Sequence, residues 1–425
     1  MTIVCPAQDA PRRMSLLQAT ICILLPFASG YYLTYLTRTI GGLISGRMVA
    51  EVHLAPSDLG LLTSSYFFTF AVAQLPLGVA LDRYGPRVVQ LVLLPIAAVG
   101  SALFALGHDV PVLALARALM GLGLAGSLMA GLKAIRHWFP PERIALGNGV
   151  LIMLGALGAV TATAPAEFLL RFVDWRGLSL LLAAATIASI LVIALATPRR
   201  VSQPAPAQAQ PALSSIYLNA DFWHLAPMSA CLVGTSFAMQ GLWAAPWLTD
   251  VARLDRDHVV GALFVMALGL VAGAIGLGII ADRLRGLGLS SRRLLVVVAI
   301  LSITAQLALV LRVPVPPLLP WVVVAIAGTA TVLSYAAVAE TFGSNVAGRA
   351  NSALNVLHIG AAFAIQSGIG VIIGKWATDT AGHSPAIAYD TAFALNLLPQ
   401  CLAVAWFLAA PVLAKAWVLP RRRAA

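Results

Sequence analysis

An arginine inside a long apolar segment offers the clearest chemistry in this sequence. Tyr31, Tyr35 and Arg38 are spaced by four and three residues, so they share one face of a helix. A guanidinium is always charged and offers paired donors to a carboxylate or phosphate. The spacing therefore predicts an anion-binding face. The alternatives are that Arg38 extends its head group to a water interface or forms a structural pair.

A second polar face lies near residue 360. Asn355, His358 and Gln366 follow one another at offsets of three and eight residues, which places them near one helix face. Histidine changes its charge near neutral pH, so His358 is a candidate proton carrier, as is a carboxylate at a helix end. The alternative is that His358 only forms a hydrogen bond to a neighbouring helix.

Further polar and aromatic residues are candidates for contact with a ligand. Tyr66 and Gln74 lie eight residues apart in one apolar segment, and we expect them to line a cavity. Trp243 and Trp247 are four residues apart and share a helix face. We expect Trp247 in the aromatic belt at a membrane surface, while Trp243 remains a candidate for the ligand site.

The composition indicates that these helix faces lie within a membrane. The chain has 425 residues, of which 60% are apolar and only 10% charged, with a mean hydropathy of +0.91. A soluble domain has roughly 25% charged residues, so this is predicted to be a membrane protein. The excess of 27 Lys and Arg over 16 Asp and Glu then reflects cytoplasmic loops; we expect no nucleic-acid partner.

Apolar runs predict twelve membrane-spanning helices. They lie near 16–47, 58–82, 87–107, 111–135, 144–170, 176–197, 221–249, 258–282, 291–311, 317–339, 350–374 and 388–416. A Pro/Ala/Gln-rich linker at 198–219 separates a six-helix half, 1–197, from a second one, 220–425. With cytoplasmic termini, eighteen basic residues would lie inside and seven outside, so both termini are predicted to be cytoplasmic.

A short string recurs at the same place in each half. The second helix ends in Gly78-x-x-x-Asp82-Arg83, and 200 residues later the eighth ends in Gly278-x-x-x-Asp282-Arg283. Two copies in register indicate an internal repeat of the kind from which transporters are built. The charged residues Asp82, Arg83 and Arg87, with Asp282 and Arg283 in the second copy, could form ionic contacts to helix ends that break when a gate opens. The alternative is that they only fix topology.

This repeat resembles the signature loop of the major facilitator superfamily, Gly-x-x-x-Asp-Arg-x-Gly-Arg-Arg, and the resemblance covers the whole chain. Arg117-x-x-x-Gly121-x-Gly123 is similar to a second signature of that family. The first copy departs from the pattern at Pro86, and the second copy continues as Leu284-Arg285-Gly286. The resemblance implies an all-α membrane protein with twelve transmembrane helices in two pseudo-symmetric halves, and a gating role for the repeat, Gly78 included.

The first helix also resembles that of the organophosphate and organic-anion branch of the superfamily, and of its nitrate/nitrite branch. In the organic-anion branch an arginine at the position matching Arg38 binds the substrate anion, and a second arginine on the seventh helix completes a phosphate clamp. Here Gln240 is the nearest polar residue in that region. A single cation favours a monoanion such as a carboxylate.

Together these features predict a secondary transporter of a small organic anion in the bacterial inner membrane, working by alternating access. Proton coupling is an open alternative to uniport or exchange. A drug or metabolite exporter, or a membrane sensor on this fold, are the competing functions. The sequence has no HExxH, GxSxG or Walker motif, so we expect no enzyme activity, no cofactor and no metal. We expect a monomer whose other partners are the lipid bilayer and, if transport is coupled, protons.

Overall fold

The computed structural model describes residues 15–140, 143–198, 213–287, 290–342, 344–379 and 383–418, and these residues form an all-helical bundle. Within those ranges the chain forms twelve long segments joined by short turns. They are α1 (Leu16–Val52), α2 (56–84), α3 (86–106), α4 (Val110–Trp138), α5 (144–169), α6 (Trp175–Ala196), α7 (Ala220–Asp250), α8 (Arg256–Gly286), α9 (Ser291–Val310), α10 (Leu318–Phe342), α11 (Ser344–Ile373) and α12 (Ala386–Val418). The predicted fold class, two six-helix halves, is confirmed.

Ten stretches in the described ranges are long and apolar enough to cross a membrane. The segment 146–161 within α5 is apolar but shorter, and hydroxyl side chains such as Thr63 and Ser64 break the apolar run of α2, although the helix itself is continuous. The largest differences from the predicted bounds are at α1, which continues to Val52 instead of residue 47, and at α11, which begins at Ser344 instead of residue 350. Most of the predicted linker, 199–212, lies outside the described residues; its last part contains a short helix, Leu213–Tyr217.

Local sequence explains the sharp turn between α2 and α3. Gly85 adopts φ 78 and ψ 165, a backbone conformation that is strained for residues with a Cβ. Pro86, the departure from the family pattern, follows at the start of α3, where its missing N–H costs no helical hydrogen bond. Gly85 and Pro86 therefore reverse the chain directly after the Asp-Arg pair.

Among the described residues, the two halves share their large buried core toward one end. We call the end where α1 stops at Val52 the distal end, and the opposite end the proximal end. Toward the distal end one buried apolar cluster joins both halves, and it includes Leu43, Leu62, Trp243, Val259 and Ile369. Toward the proximal end the two halves have separate buried clusters, one around Ile23, Leu81 and Leu151 and the other around Phe222, Leu295 and Leu354.

Close backbone approaches at glycine support the distal contact between the halves. A Cβ added to Gly60 of α2 would lie 3.2 Å from the Cα of Gly370 on α11. A Cβ on Gly42 of α1 would lie 3.2 Å from the carbonyl oxygen of Gly241 on α7. Small residues let helix backbones approach closely, so these pairs allow α1 and α2 to pack against α7 and α11. This conformation is closed at its distal end.

Candidate functional site

The predicted face of α1 points toward the other half. The rings of Tyr31 and Tyr35 meet edge to face, 5.2 Å between centroids. The Arg38 Cζ lies 4.2 Å from the centre of the Tyr35 ring and 4.1 Å from the centre of the Phe237 ring on α7. The guanidinium is half-buried and therefore lies between an aromatic ring of each half.

Arg38 differs from the other arginine that lies within the predicted helices. Arg117 is 3% exposed, donates to the carbonyl oxygen of Thr37 at 3.1 Å and contacts the ring of Phe104. Within the described residues no acidic side chain or carbonyl oxygen accepts a hydrogen bond from the Arg38 guanidinium. Arg117 thus has a structural partner, while the hydrogen-bond donors of Arg38 remain available to a ligand.

The segment of α7 opposite Arg38 is not an ordinary α-helix. Residues Met239–Trp243 form a π-helical turn, a local widening that is frequent at functional sites. The half-buried Gln240 lies in this turn, and its neighbour Gly241 approaches the backbone of Arg38. Trp243 is 1% exposed and donates its indole N–H to the carbonyl oxygen of Gln366 at 3.3 Å. The turn therefore places the backbone that follows Gln240 against Arg38, whereas Trp243 packs between helices.

The second predicted polar face forms a hydrogen-bonded chain in the C-terminal half. His358 is fully buried, and its Nε2 lies 2.7 Å from the hydroxyl of Ser229, which donates to Ser334 at 2.6 Å. The Tyr335 ring stacks on His358, and its hydroxyl donates to Asn355 Oδ1 at 3.2 Å. Three helices, α7, α10 and α11, contribute to this chain.

Sequence analysis missed Tyr335. Its ring stacks on His358 and its hydroxyl donates to Asn355. The available signal was the polar pair Ser334-Tyr335 in a mostly apolar helix. Tyr335 therefore links Asn355 to His358 within the C-terminal half.

Other predicted contact residues have packing roles in this conformation. Tyr66 is 2% exposed and its hydroxyl reaches the carbonyl oxygen of Thr34 at 3.4 Å, and Gln74 donates to the carbonyl oxygen of Ala125 at 2.9 Å. Both hold α2 against neighbouring helices instead of lining an open cavity. The expectation for Trp247 was wrong: it is 5% exposed and packs against Trp321, because α7 lies inside the bundle rather than at its lipid-facing surface.

The first copy of the repeat makes its described contacts within the N-terminal half. Asp82 pairs with Lys133 of α4 at 2.6 Å, and Arg87 donates to the carbonyl oxygen of Ala194 at the end of α6 at 2.7 Å. The exposed Arg83 contacts the ring of Tyr84. These contacts anchor the α2–α3 turn to α4 and α6.

The remaining repeat residues are Gly78 in the first copy and Asp282 and Arg283 in the second. Gly78 is exposed, and no atom would lie within 4 Å of a Cβ at this position. In the second copy Arg283 is exposed at the end of α8, while the side chain of Asp282 lies outside the described part of the chain. The gating role of these residues therefore stays a prediction.

An ionic cluster that sequence analysis also missed joins the halves at the distal end. Glu167 of α5 pairs with Arg47 of α1 at 3.0 Å and with Arg256 of α8 at 2.5 Å. Arg256 makes a second bond to Glu167 at 3.2 Å and donates to the carbonyl oxygen of Leu43 at 2.9 Å. We call Arg47, Glu167 and Arg256 the distal cluster. Across the described residues, no group of three or more His, Cys, Asp or Glu side chains could hold a metal ion.

Comparison with known proteins identifies the family of this chain. A sequence profile described as Major Facilitator Superfamily matches residues 27–366. The "Probable sulfoacetate transporter SauU" of Cupriavidus necator is 23% identical over 60% of this chain and 63% of its own length. The "Nitrate/nitrite transporter NrtP" of Nostoc punctiforme is 32% identical over 26% of this chain and 22% of its own. The chain thus matches less than two thirds of each of these relatives.

The fold is similar to that of a solved transporter. A bacterial homologue of the human lysosomal transporter Spinster, in an inward-facing and unoccupied conformation, superposes with a TM-score of 0.74. The alignment covers 95% of this chain and 99% of that structure, at 19% sequence identity. This likeness concerns the fold.

Proposed function

This chain belongs to the major facilitator superfamily, and on that basis we propose that it is a secondary transporter of a small organic monoanion. Transport would proceed by alternating access, in which the two six-helix halves rock around a central site. The named relatives support an anionic substrate, because sulfoacetate and nitrate are both anions.

The observation that carries this proposal is the state of Arg38. A charged group inside a membrane protein normally pairs with another group or faces a functional cavity. The Arg38 guanidinium has rings of Tyr35 and Phe237 beside it but no hydrogen-bond acceptor among the described residues. A carboxylate would supply both the counter-charge and two acceptors in the plane of the guanidinium.

The absence of a second free cation among the described residues near Arg38 supports a single negative charge on the substrate. Arg117 is committed to Thr37 and Phe104. The polar residues described above for the C-terminal half are neutral: Gln240, Asn355 and Tyr335. A phosphate dianion would have only half of its charge balanced, so the site favours a monocarboxylate-type metabolite.

The closed distal end supports assigning this conformation to one state of the transport cycle, the state that is open toward the proximal end. The predicted orientation puts that end outside the cell, so the substrate site would communicate with the cytoplasm in a bacterial inner membrane. Separation of the halves at the distal end would break the distal cluster, and the repeat around Asp82 and Arg87 would seal the proximal end. Proton coupling through His358 or a helix-end carboxylate is part of the same proposal.

The test is uptake of radiolabelled monocarboxylates by purified protein in liposomes, with wild type, Arg38→Lys and Arg38→Gln. A bidentate charge-assisted contact contributes about 1.5–3 kcal/mol, so Arg38→Lys should weaken apparent affinity about ten- to a hundredfold. Arg38→Gln should be weaker still. Thermal stability should fall only by the loss of the contacts with the Tyr35 and Phe237 rings, because the guanidinium makes no hydrogen bond to the described residues.

Arg171→Gln is the matched control, since it removes one positive charge from an exposed arginine in the α5–α6 loop. Its uptake should equal that of wild type. Unchanged affinity in well-folded Arg38→Gln protein would overturn the anion-binding role of Arg38 and with it the reason for an anionic substrate.

A further inference from the structure

We infer that Phe237 is a positioning residue that holds the Arg38 guanidinium in place from the opposite half, ready for an anion. The inference rests on the proposed function and deepens it. Phe237 lies on α7, 199 residues from Arg38 in the sequence, yet its ring centre is 4.1 Å from the Arg38 Cζ.

The chemistry of the contact suits a site that must stay ready for a ligand. An aromatic face carries partial negative charge and stabilises a cation without accepting its N–H groups. A carboxylate at the same place would pair with Arg38 permanently and compete with an anionic substrate. Phe237 and Tyr35 thus lower the cost of holding an unpaired charge while leaving the donors free.

The position of Phe237 also ties the contact to the relative placement of the halves. Tyr35 lies on α1 and packs against Ala159 of α5 and Leu270 of α8. Phe237 lies just before the π-helical turn, where Gly241 packs on the α1 backbone. The ring of Phe237 therefore reaches Arg38 only when α1 and α7 are in contact, so anion affinity should depend on this contact between the halves.

The first arm of the test measures anion binding to wild type, Phe237→Leu and Phe237→Tyr in nanodiscs. The probes are lactate, benzoate and nitrate, each titrated by calorimetry. A partly desolvated cation–π contact of this kind corresponds to about a three- to tenfold change in affinity. Phe237→Leu should weaken binding by that factor, and Phe237→Tyr should restore it, because leucine keeps the apolar volume and tyrosine keeps the aromatic face.

Phe363→Leu is the matched control. Phe363 of α11 packs against Phe68 of α2, with 5.4 Å between ring centres, so it is also an aromatic contact between the halves but has no arginine. Its substitution should leave anion affinity unchanged. Equal losses in Phe237→Leu and Phe363→Leu would overturn the inference and leave only a general packing role.

The second arm needs no anion and compares thermal unfolding of Arg38→Gln, Phe237→Leu and the double variant. The double variant should unfold no lower than the less stable single variant, because one contact can be lost only once. Arg38→Gln combined with Phe363→Leu should instead show additive losses. Full additivity of Arg38→Gln and Phe237→Leu would overturn the inference.

The two arms separate the possible failures. If none of the probes binds to wild type and no monocarboxylate is taken up, the proposed function fails, while the second arm still decides whether Phe237 stabilises Arg38. If wild type binds a probe and Phe237→Leu binds it equally well, the inference fails and the proposed function stands.

Discussion

Removal of the carboxylate of Glu167 should open the distal end. Glu167 is the only acid in the distal cluster, and Arg256 reaches it from the other half through two nitrogen atoms. Glu167→Gln keeps the shape of the side chain and one acceptor for Arg47. It removes the charge that holds Arg256 and leaves two arginines side by side without an acid between them.

The magnitude follows from the exposure of the pair. Charge-assisted hydrogen bonds contribute about 1.5–3 kcal/mol, whereas pairs on the surface contribute about 0.2–1 kcal/mol. The Glu167 side chain is 14% exposed and that of Arg256 39%, so this pair lies between the two classes. We take about 1.5 kcal/mol, which corresponds to about a tenfold rise in the ratio of distal-open to distal-closed molecules.

The assay is electron–electron distance measurement between spin labels at Phe172 and Val313, on exposed distal loops of opposite halves. The labels are attached through non-natural amino acids so that the native cysteines remain. Glu167→Gln and Arg256→Gln should each increase the population at longer distance, and the double variant should add little to either.

Arg47→Gln serves as the control, because Arg47 and Glu167 lie in the same half and the loss of Arg47 leaves the pair between Glu167 and Arg256 intact. Its distance distribution should match that of wild type. The reasoning is refuted if neither Glu167→Gln nor Arg256→Gln changes the distribution, or if Arg47→Gln changes it as much.

Three further outcomes are expected. Asp82→Asn and Lys133→Met should slow uptake to the same extent and not add when combined, since they share one ion pair; additive losses in transport assays would contradict this. Gly60→Val should enlarge the long-distance label population, because its side chain would meet the backbone of Gly370, while Gly149→Val, where no atom lies within 4 Å of the added Cβ, should not. His358→Gln should lower the unfolding temperature only slightly, because it alters one hydrogen bond of about 0.5–1.5 kcal/mol while buried Ser229 keeps Ser334 as a partner. Any dependence of uptake on a proton gradient should be lost in this variant if His358 carries the proton, and its persistence would assign the proton to a helix-end carboxylate.

The sequence was sufficient for the features that depend on composition and local periodicity. Long apolar runs predict helices whatever their neighbours are, and the recurrence of Gly-x-x-x-Asp-Arg after 200 residues predicts the two halves. The spacing of Tyr31, Tyr35 and Arg38 fixes one helix face, because the period of a helix is a local property. These predictions needed no knowledge of which helices touch.

Only the tertiary structure identified the groups that meet across the bundle. From the sequence alone, Phe237 is one more apolar residue and Glu167 is an acid at a helix end. Their partners are defined only by the packing of α7 and α8 against α1 and α5. Trp247 shows the opposite error, since a tryptophan near a helix end suits the membrane surface as well as it suits an aromatic core. Packing and the conformational state decide which residues far apart in the chain come into contact. Neither produces a periodic pattern in the sequence. The sequence thus determined that Arg38 lies on a polar face within a membrane helix, and the packing of the two halves decided which side chains surround it.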